Sequence, residues 1–314
     1  MNKLKMIGLT ALGTTLIASS AFAVEMSVSG GASLTLNSTN SGKATAGNGW
    51  TMGDSLNFTG SGEMDNGWTV TTKMEIDAGA EDDHSFALGM GDSGTLTFHG
   101  HGGSSALGAV DDVTPNAYEE SWDVVTGGDA AVINGEANAN MFVYQSPSLS
   151  GATITIAYVN SAAATTAVSY SDIAFAYSPE MAEGLTVGFA TGDTEEVVGT
   201  KNKESTMYAK YAYGPVTVGY QVSENDLTAA SSDVEMTSMG VSYAITDNFS
   251  VAYNQSTFDK DGSATDIEAS GISWSYTMGS MTFAGAMNNV DNIGYATTAA
   301  ADREGYEMGL SFAF

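Results

Sequence analysis

Cysteine and histidine, two of the side chains most used in catalysis and metal binding, are absent or rare in this 314-residue chain. The chain has no cysteine, which excludes thiol catalysis and thiolate metal sites. Its three histidines are His84, His99 and His101. The last two would share one face of a regular strand, where they could hold a metal ion together. The sequence places no further ligand beside them, and no nucleophile elbow accompanies its many serines and aspartates.

Two short motifs match ligand-binding loops by letter only. Residues 89–94, Gly-Met-Gly-Asp-Ser-Gly, match the dinucleotide fingerprint, but a strand pattern follows where that fold needs a helix. We therefore expect a hairpin turn there. Residues 259–262, Asp-Lys-Asp-Gly, lack the spacing and the final Glu of an EF-hand loop. Ca²⁺ bridging between acidic outer loops and anionic lipid headgroups is a hypothesis without assignable ligands.

Negative charge dominates the composition. The chain carries 37 Asp and Glu against nine Lys and Arg, for a net charge of −28. Such a surface has no basic footprint, which argues against nucleic acid as a partner. It favours cations, including divalent ions held in acidic loops.

The first 23 residues read as a secretory signal peptide. Two lysines precede an apolar stretch of about a dozen residues, and Ala-Phe-Ala at 21–23 is a cleavage site. We expect an exported protein that begins at Val24. No later apolar run approaches the ~18 residues that a spanning helix needs, so any membrane insertion must use strands.

The last nine residues show the strand pattern most clearly. Every second side chain is large and apolar, namely Tyr306, Met308, Leu310, Phe312 and Phe314. The residues between them are small or polar, which is typical of a strand with two different faces. We expect the apolar set to face lipid, Glu307 and Ser311 to face the interior, and this strand to pair with the first one.

The same alternation recurs along residues 24–314 and predicts an all-β fold. We count sixteen strands, joined alternately by seven tight turns and eight longer loops, one of them the acidic segment Glu81-Asp82-Asp83. An even count with this alternation indicates a transmembrane antiparallel β-barrel. A barrel of this width is too wide for side chains to fill, so we expect a water-filled interior. The phase of the alternation assigns four charged residues to the pore wall: Lys73, Glu75, Asp77 and Lys210.

Three ordered segments carry a family resemblance. They are Glu-Met-Ser-Val-Ser-Gly at 25–30, Leu-Asn-Phe-Thr-Gly at 56–60, and Gly-Thr-Leu-Thr-Phe at 94–98 before a long segment without alternation. In this order the chain resembles the alphaproteobacterial, Rhodobacter-type general porins of Gram-negative outer membranes, over essentially all of residues 24–314. The resemblance implies a homotrimer of sixteen-stranded barrels whose third outer loop, residues 100–138, folds inward. Phe314 also resembles the end signature by which outer-membrane assembly machinery recognises its clients.

On this resemblance the long loop is the pore constriction. Its acidic candidates are Asp111, Asp112, Glu119, Glu120 and Asp123. Each of these is equally consistent with a solvated loop charge. Family members commonly set such acids against basic residues on the facing wall, and this chain departs from that pattern because it has few cations. We therefore expect a pore that prefers cations.

The function that follows is passive diffusion rather than catalysis. We expect an outer-membrane porin, surrounded by lipid and lipopolysaccharide, that passes small hydrophilic solutes and ions. Two alternatives stay open at this point. An outer-membrane barrel hydrolase would need one of the histidines beside an acid at a strand rim. An acidic surface-layer protein would extract with chelator and without detergent.

Overall fold

A computed structural model describes residues 25–39, 49–125, 132–136, 140–160, 169–197, 200–228 and 233–314. The predicted signal peptide and its cleavage before Val24 lie outside these residues and stay predictions. Within the described ranges, no helix is both long and apolar enough to cross a membrane.

The described residues form sixteen strands, with three short 3₁₀ turns between them. The strands are β1 (Glu25–Thr39), β2 (Gly49–Glu63), β3 (Thr69–Asp77), β4 (Ala80–Gly89), β5 (Thr95–His101), β6 (Met141–Gln145), β7 (Ala152–Val159), β8 (Tyr170–Tyr177), β9 (Leu185–Val197), β10 (Thr200–Tyr213), β11 (Val216–Asp226), β12 (Val234–Thr246), β13 (Phe249–Lys260), β14 (Ile267–Met278), β15 (Met281–Asp291) and β16 (Arg303–Ala313). The 3₁₀ turns are Gly91–Ser93, Gly108–Val110 and Ile293–Tyr295.

The strands close into a single antiparallel barrel. Each strand pairs with its neighbours in the chain, and β1 pairs with β16 from Gly31 opposite Ala313 to Thr39 opposite Gly305. Closure satisfies the backbone hydrogen bonds of both terminal strands, which is what a membrane-spanning sheet requires. The predicted fold class, a closed barrel of sixteen strands, is confirmed.

The expected hairpin turn at the glycine-rich motif is also confirmed. Gly91–Ser93 form a 3₁₀ turn between β4 and β5. The expected loop at Glu81–Asp83 is wrong, because these three residues belong to β4. The β3–β4 connection is only Ala78 and Gly79, whose φ angles are 49° and 80°. Two positive φ values make the tight hairpin turn that matches strand twist, so the strand continues through the acidic run.

The two neighbouring histidines do not share a face. Register pairs Ser85 with His99 and His84 with His101, so Gly100 is an extra residue on β5. A bulge of this kind reverses the alternation locally. His99 and His101 therefore lie on opposite faces of the sheet.

Large apolar side chains cover the outer face of the barrel. On β16, Met308, Phe312 and the terminal Phe314 are exposed, and Tyr306 and Leu310 are half-buried between their neighbours. An apolar outer band is what a lipid environment stabilises. The structure places all five predicted residues on this one face, and their contact with lipid stays a prediction.

Part of the interior is packed rather than aqueous. Inward side chains of five wall strands, including Met236, Phe258 and Ile267, form a buried apolar cluster with residues of the long β5–β6 loop. The expectation of a wholly aqueous interior is therefore wrong for this sector. The barrel is too wide for inward side chains on opposite walls to touch, so the loop provides the apolar contacts of these side chains.

Candidate functional site

The described parts of the long loop between β5 and β6, residues 102–125 and 132–136, lie inside the barrel. The loop runs from Gly102 to Asn140, two residues later at each end than predicted. Its two limbs join near the wall, where the Ser105 N–H donates to the Glu136 carbonyl at 2.8 Å. The Glu136 N–H donates back to Ser105 Oγ at 3.0 Å. These bonds form a neck from which the rest of the loop reaches across the lumen.

A buried carboxylate on β8 anchors the start of the loop. Asp172 is 4% exposed and accepts the N–H groups of Leu107 at 2.7 Å and of Ala106 at 3.3 Å. It also accepts the Ala157 N–H at 3.1 Å and the Tyr170 hydroxyl at 3.0 Å. Four donors around one buried carboxylate provide the charge-assisted bonds that such a group requires.

Two further inward side chains hold both limbs of the loop. On β11, Gln221 Oε1 accepts the Val113 N–H at 2.9 Å, and its Nε2 donates to the Val110 carbonyl at 2.8 Å. On β10, Glu204 accepts the Gly135 N–H at 3.0 Å. Loop backbone groups that would otherwise be buried without partners are thereby satisfied.

The middle of the loop crosses a row of small and amide side chains on the wall. Direct register pairs join Gly219, Gly240, Asn254, Gly271 and Asn288 across five strands.

The glycines of this row make room for the loop backbone. A Cβ atom at Gly219 would come within 2.5 Å of Pro115 Cδ, and one at Gly240 within 2.6 Å of the Pro115 carbonyl oxygen. A Cβ atom at Gly271 would lie 3.2 Å from the Cα of Ser121. Glycine is therefore needed here for close approach of two backbones.

The asparagines of the row bind the loop carbonyls. Asn254 Nδ2 donates to the Pro115 carbonyl at 2.7 Å, and Asn288 Nδ2 donates to the Glu120 carbonyl at 2.5 Å. Glycine and asparagine thus form a cradle in which one residue type gives space and the other gives donors.

An apolar contact completes the attachment. Trp122 packs edge-on against Phe258 of β13, with ring centroids 5.7 Å apart and planes at 87°. Burial of two such rings contributes several kcal/mol, on the order of 1.5–3 for a fully buried large apolar side chain.

The tip of the loop reaches the seam between β16 and β1. The Tyr118 hydroxyl donates to Glu307 Oε1 at 2.7 Å, and Asn37 Nδ2 donates to Glu307 Oε2 at 2.9 Å. Burial and the Glu307 carboxylate raise the pKa of the Tyr118 hydroxyl, so it remains a proton donor. Glu307 faces the interior, as the sequence predicts.

Three of the five predicted loop acids form one cluster. Carboxylate oxygens of Glu119, Glu120 and Asp123 all lie within 4.8 Å of one another. Burial, followed by the charges of Glu307 and Asp123, raises the pKa of Glu119 to about 7. Burial and the hydrogen bond with Asp112 raise the pKa of Glu120 to about 7. Crowded acids in a partly dehydrated site titrate near neutral pH for this reason.

Asp123 is the member of the cluster that is most open to the lumen. Its side chain is exposed, but the barrel wall and the loop displace much of the surrounding water. This loss of hydration, followed by the hydrogen bond and charge of Glu120, raises the pKa of the Asp123 carboxyl to about 7. In the described ranges, this trio is the one group of three or more His, Asp or Glu side chains close enough to hold a metal ion. The Ca²⁺ hypothesis stays a prediction.

The other two predicted loop acids lie beside this cluster. Burial raises the pKa of both Asp111 and Asp112. The Asp112 N–H donates to Asp111 Oδ1 at 2.9 Å, and Asp112 Oδ1 accepts the Thr114 hydroxyl at 3.2 Å. Their main contacts are therefore within the loop.

The predicted wall residues divide between two parts of the barrel. Lys210 on β10 lies opposite Gly219, at one end of the glycine-asparagine row. Lys73 and Glu75 on β3 are ion-paired, with Nζ and Oε2 3.1 Å apart, and Asp77 ends the same strand. A third acid, Asp83 of β4, lies 3.5 Å from the Lys73 ammonium.

Sequence reasoning missed Asp83 because it read residues 81–83 as a loop. The available signal was the Ala78-Gly79 pair, since a glycine at the second position suits a two-residue hairpin turn. Regular pairing from that turn would set Asp82 opposite Glu75, but a bulge shifts the register there and brings Asp83 opposite Glu75 instead.

Comparison with known families gives one family model, described as Gram-negative porin, which matches residues 8–267. No curated protein matches the chain in sequence at a significant level.

Solved structures of porins share the fold. An anion-selective porin from Comamonas acidovorans superposes with a TM-score of 0.71 at 15% identity, covering 93% of this chain and 100% of its own. A variant of the Rh. blastica porin gives a TM-score of 0.66 at 18% identity, covering 92% of this chain and 100% of its own. The outer-membrane OmpT of Vibrio cholerae gives 0.67 at 13% identity, covering 95% and 99%. At these identities the likeness is one of fold.

Proposed function

Because the chain belongs to the Gram-negative porin family, we propose that this outer-membrane channel prefers cations and is narrowed by the loop of residues 102–140. Small hydrophilic solutes move through it down their own gradients, and no reaction is part of the proposal. Lining charge and width select what passes.

The observation that carries the cation preference is the cluster of Glu119, Glu120 and Asp123 on the inward loop. Above pH 7 these three carboxyls are mostly ionised, since each has a pKa of about 7. Negative charge held in a narrow, low-dielectric passage attracts cations and repels anions. The ion pairs of Lys73 also support a cation preference, because the carboxylates of Glu75 and Asp83 offset its positive charge.

Ion selectivity in planar bilayers tests the proposal. With a KCl gradient at pH 8, the reversal potential of the purified channel should have the sign of a cation-preferring pore. The triple variant E119Q/E120Q/D123N should move that potential toward zero, and D92N, which changes an exposed turn residue on the barrel's short-turn end, should not. An anion-preferring or unselective wild-type channel contradicts the proposal.

We further propose that the channel is a homotrimer. The family resemblance supports this, and so does Asp54, an exposed carboxylate on the outward face of β2 between exposed Met52 and Leu56. A carboxylate is costly against lipid and is better accommodated where a second copy covers the wall. Cross-linking in detergent, followed by electrophoresis with and without heating, should give a species of three chains. A species of one chain under all conditions contradicts it.

A further inference from the structure

We propose that Asp83, together with Glu75, is a specificity-determining residue of the channel because it offsets the charge of Lys73 on the inner wall. This inference rests on the proposed channel function and assigns part of the ion selectivity to residues outside the loop.

The three side chains share the inward face of neighbouring strands. Glu75 of β3 lies directly opposite Asp83 of β4, and Lys73 lies two residues before Glu75. Register pairs through β2 and β1 connect this face to the face of β16 that carries Glu307. Since Glu307 contacts the tip of the inward loop, Lys73, Glu75 and Asp83 point into the lumen.

The two carboxylates hold the ammonium from two sides. Lys73 Nζ is 3.1 Å from Glu75 Oε2 and 3.5 Å from Asp83 Oδ2. The Lys73 side chain is 39% exposed, while that of Asp83 is 18% exposed. The cation thus meets the lumen water, and both of its counter-charges lie deeper in the wall.

The net charge of this trio decides its effect on passing ions. One ammonium and two carboxylates sum to −1 at neutral pH, so the wall is weakly acidic at this point. A lone ammonium there would repel cations and attract anions. Asp83 supplies the second negative charge, and without it the trio would be neutral.

A charge series at this one place tests the inference. The variants K73M, wild type, D83N and E75Q/D83N set the charge of the trio to −2, −1, 0 and +1 in that order. The cation-to-anion permeability ratio, taken from reversal potentials in a KCl gradient at pH 8, should fall at each step. We expect about a twofold change per unit of charge, since partly exposed charges are screened by water and salt.

The control is D92N, which removes one carboxylate from an exposed turn at the other end of β4. It should leave the ratio unchanged. Circular dichroism and heat-shifted electrophoretic mobility identify variants that fail to fold, and K73M gives a reading in the opposite direction should D83N be one of them. A ratio that is the same in all folded variants overturns the inference.

The same recordings separate this inference from the proposed function. If the wild-type channel prefers anions but the ratio still follows the series, the proposed preference fails and the role of Asp83 stands. If the wild type prefers cations and the series is flat, the loop cluster alone determines selectivity and the inference fails.

Discussion

The inner wall has two sectors that share one strand pattern and differ in what they meet. From β11 to β15 the inward positions include the row of glycine and asparagine that binds the loop backbone. From β1 to β4 they carry small hydroxyls and ions, as at Ser33, Ser55 and Lys73. The first sector meets protein and the second meets water. The types of the inward residues, rather than their spacing, therefore indicate which part of the lumen of a wide barrel is occupied by the loop.

Removing the anchor of the covered sector should have the largest effect. Asp172→Ala leaves the N–H groups of Ala106 and Leu107 buried without an acceptor, at a cost of about 1–3 kcal/mol each. We expect a lower free energy of unfolding and a noisy open-channel current, because the start of the loop is released. Urea unfolding in detergent micelles and single-channel recordings measure the two effects.

The control for this variant is Asp92→Ala, which removes an exposed turn carboxylate. A quiet current together with unchanged stability in Asp172→Ala would show that the loop does not depend on this anchor.

A steric change in the covered sector should have a smaller effect. Gly240→Val places a side chain where its Cβ would lie 2.6 Å from the Pro115 carbonyl oxygen, so the loop must shift toward the lumen. Overpacking of this kind costs about 1–3 kcal/mol. We expect a reduced single-channel conductance in a folded barrel.

The matched substitution in the open sector is Gly49→Val. Gly49 lies opposite Asn37, on the inward face, and a Cβ there would meet no atom of the described residues within 4 Å. The single-channel conductance of the Gly49→Val variant should equal that of the wild type. An equal loss of single-channel conductance in Gly240→Val and Gly49→Val would contradict the distinction between the two sectors.

Titration of the loop acids should have the smallest effect. Protonation removes negative charge, so the cation preference should be weak at pH 5, where Glu119, Glu120 and Asp123 are mostly protonated. It should rise through about pH 7 and level off near pH 9, as the three carboxyls ionise. Reversal potentials across this range give the curve, and E119Q/E120Q/D123N should flatten it.

The open sector provides the internal comparison for that titration. Lys73 and its two acids form ion pairs outside the loop cluster, so the triple variant leaves them in place. A midpoint that stays near pH 7 in the triple variant would assign the titration to groups other than the loop cluster.

Local pattern was enough to predict most of the barrel. Period-two alternation and turn residues gave the strand count, the closing pair and the inward position of Glu307, since each depends on neighbours in the chain. The position of Asp83 was missed for two reasons: a two-residue turn was read as a loop, and a bulge that regular pairing does not include sets Asp83 opposite Glu75.

The contacts by which the loop docks on the wall could not be predicted from local sequence patterns. The contacts of Pro115 with Gly240 and of Trp122 with Phe258 join residues more than 120 positions apart, and no periodicity encodes such pairs. Glycines at inward positions looked like ordinary sheet residues. Their role became visible once the strand register aligned them beneath the loop.

The wall partners of the loop also constrain the order in which the protein assembles. Tyr118 binds Glu307 across 189 positions and Ala117 binds Ser273 across 156, so the docking surface belongs to strands much later in the chain than the loop itself. Such distant contacts form slowly, because long loops must close first. The loop can therefore dock only after the later half of the barrel has formed. The time at which the loop becomes resistant to proteases would then report when folding is complete.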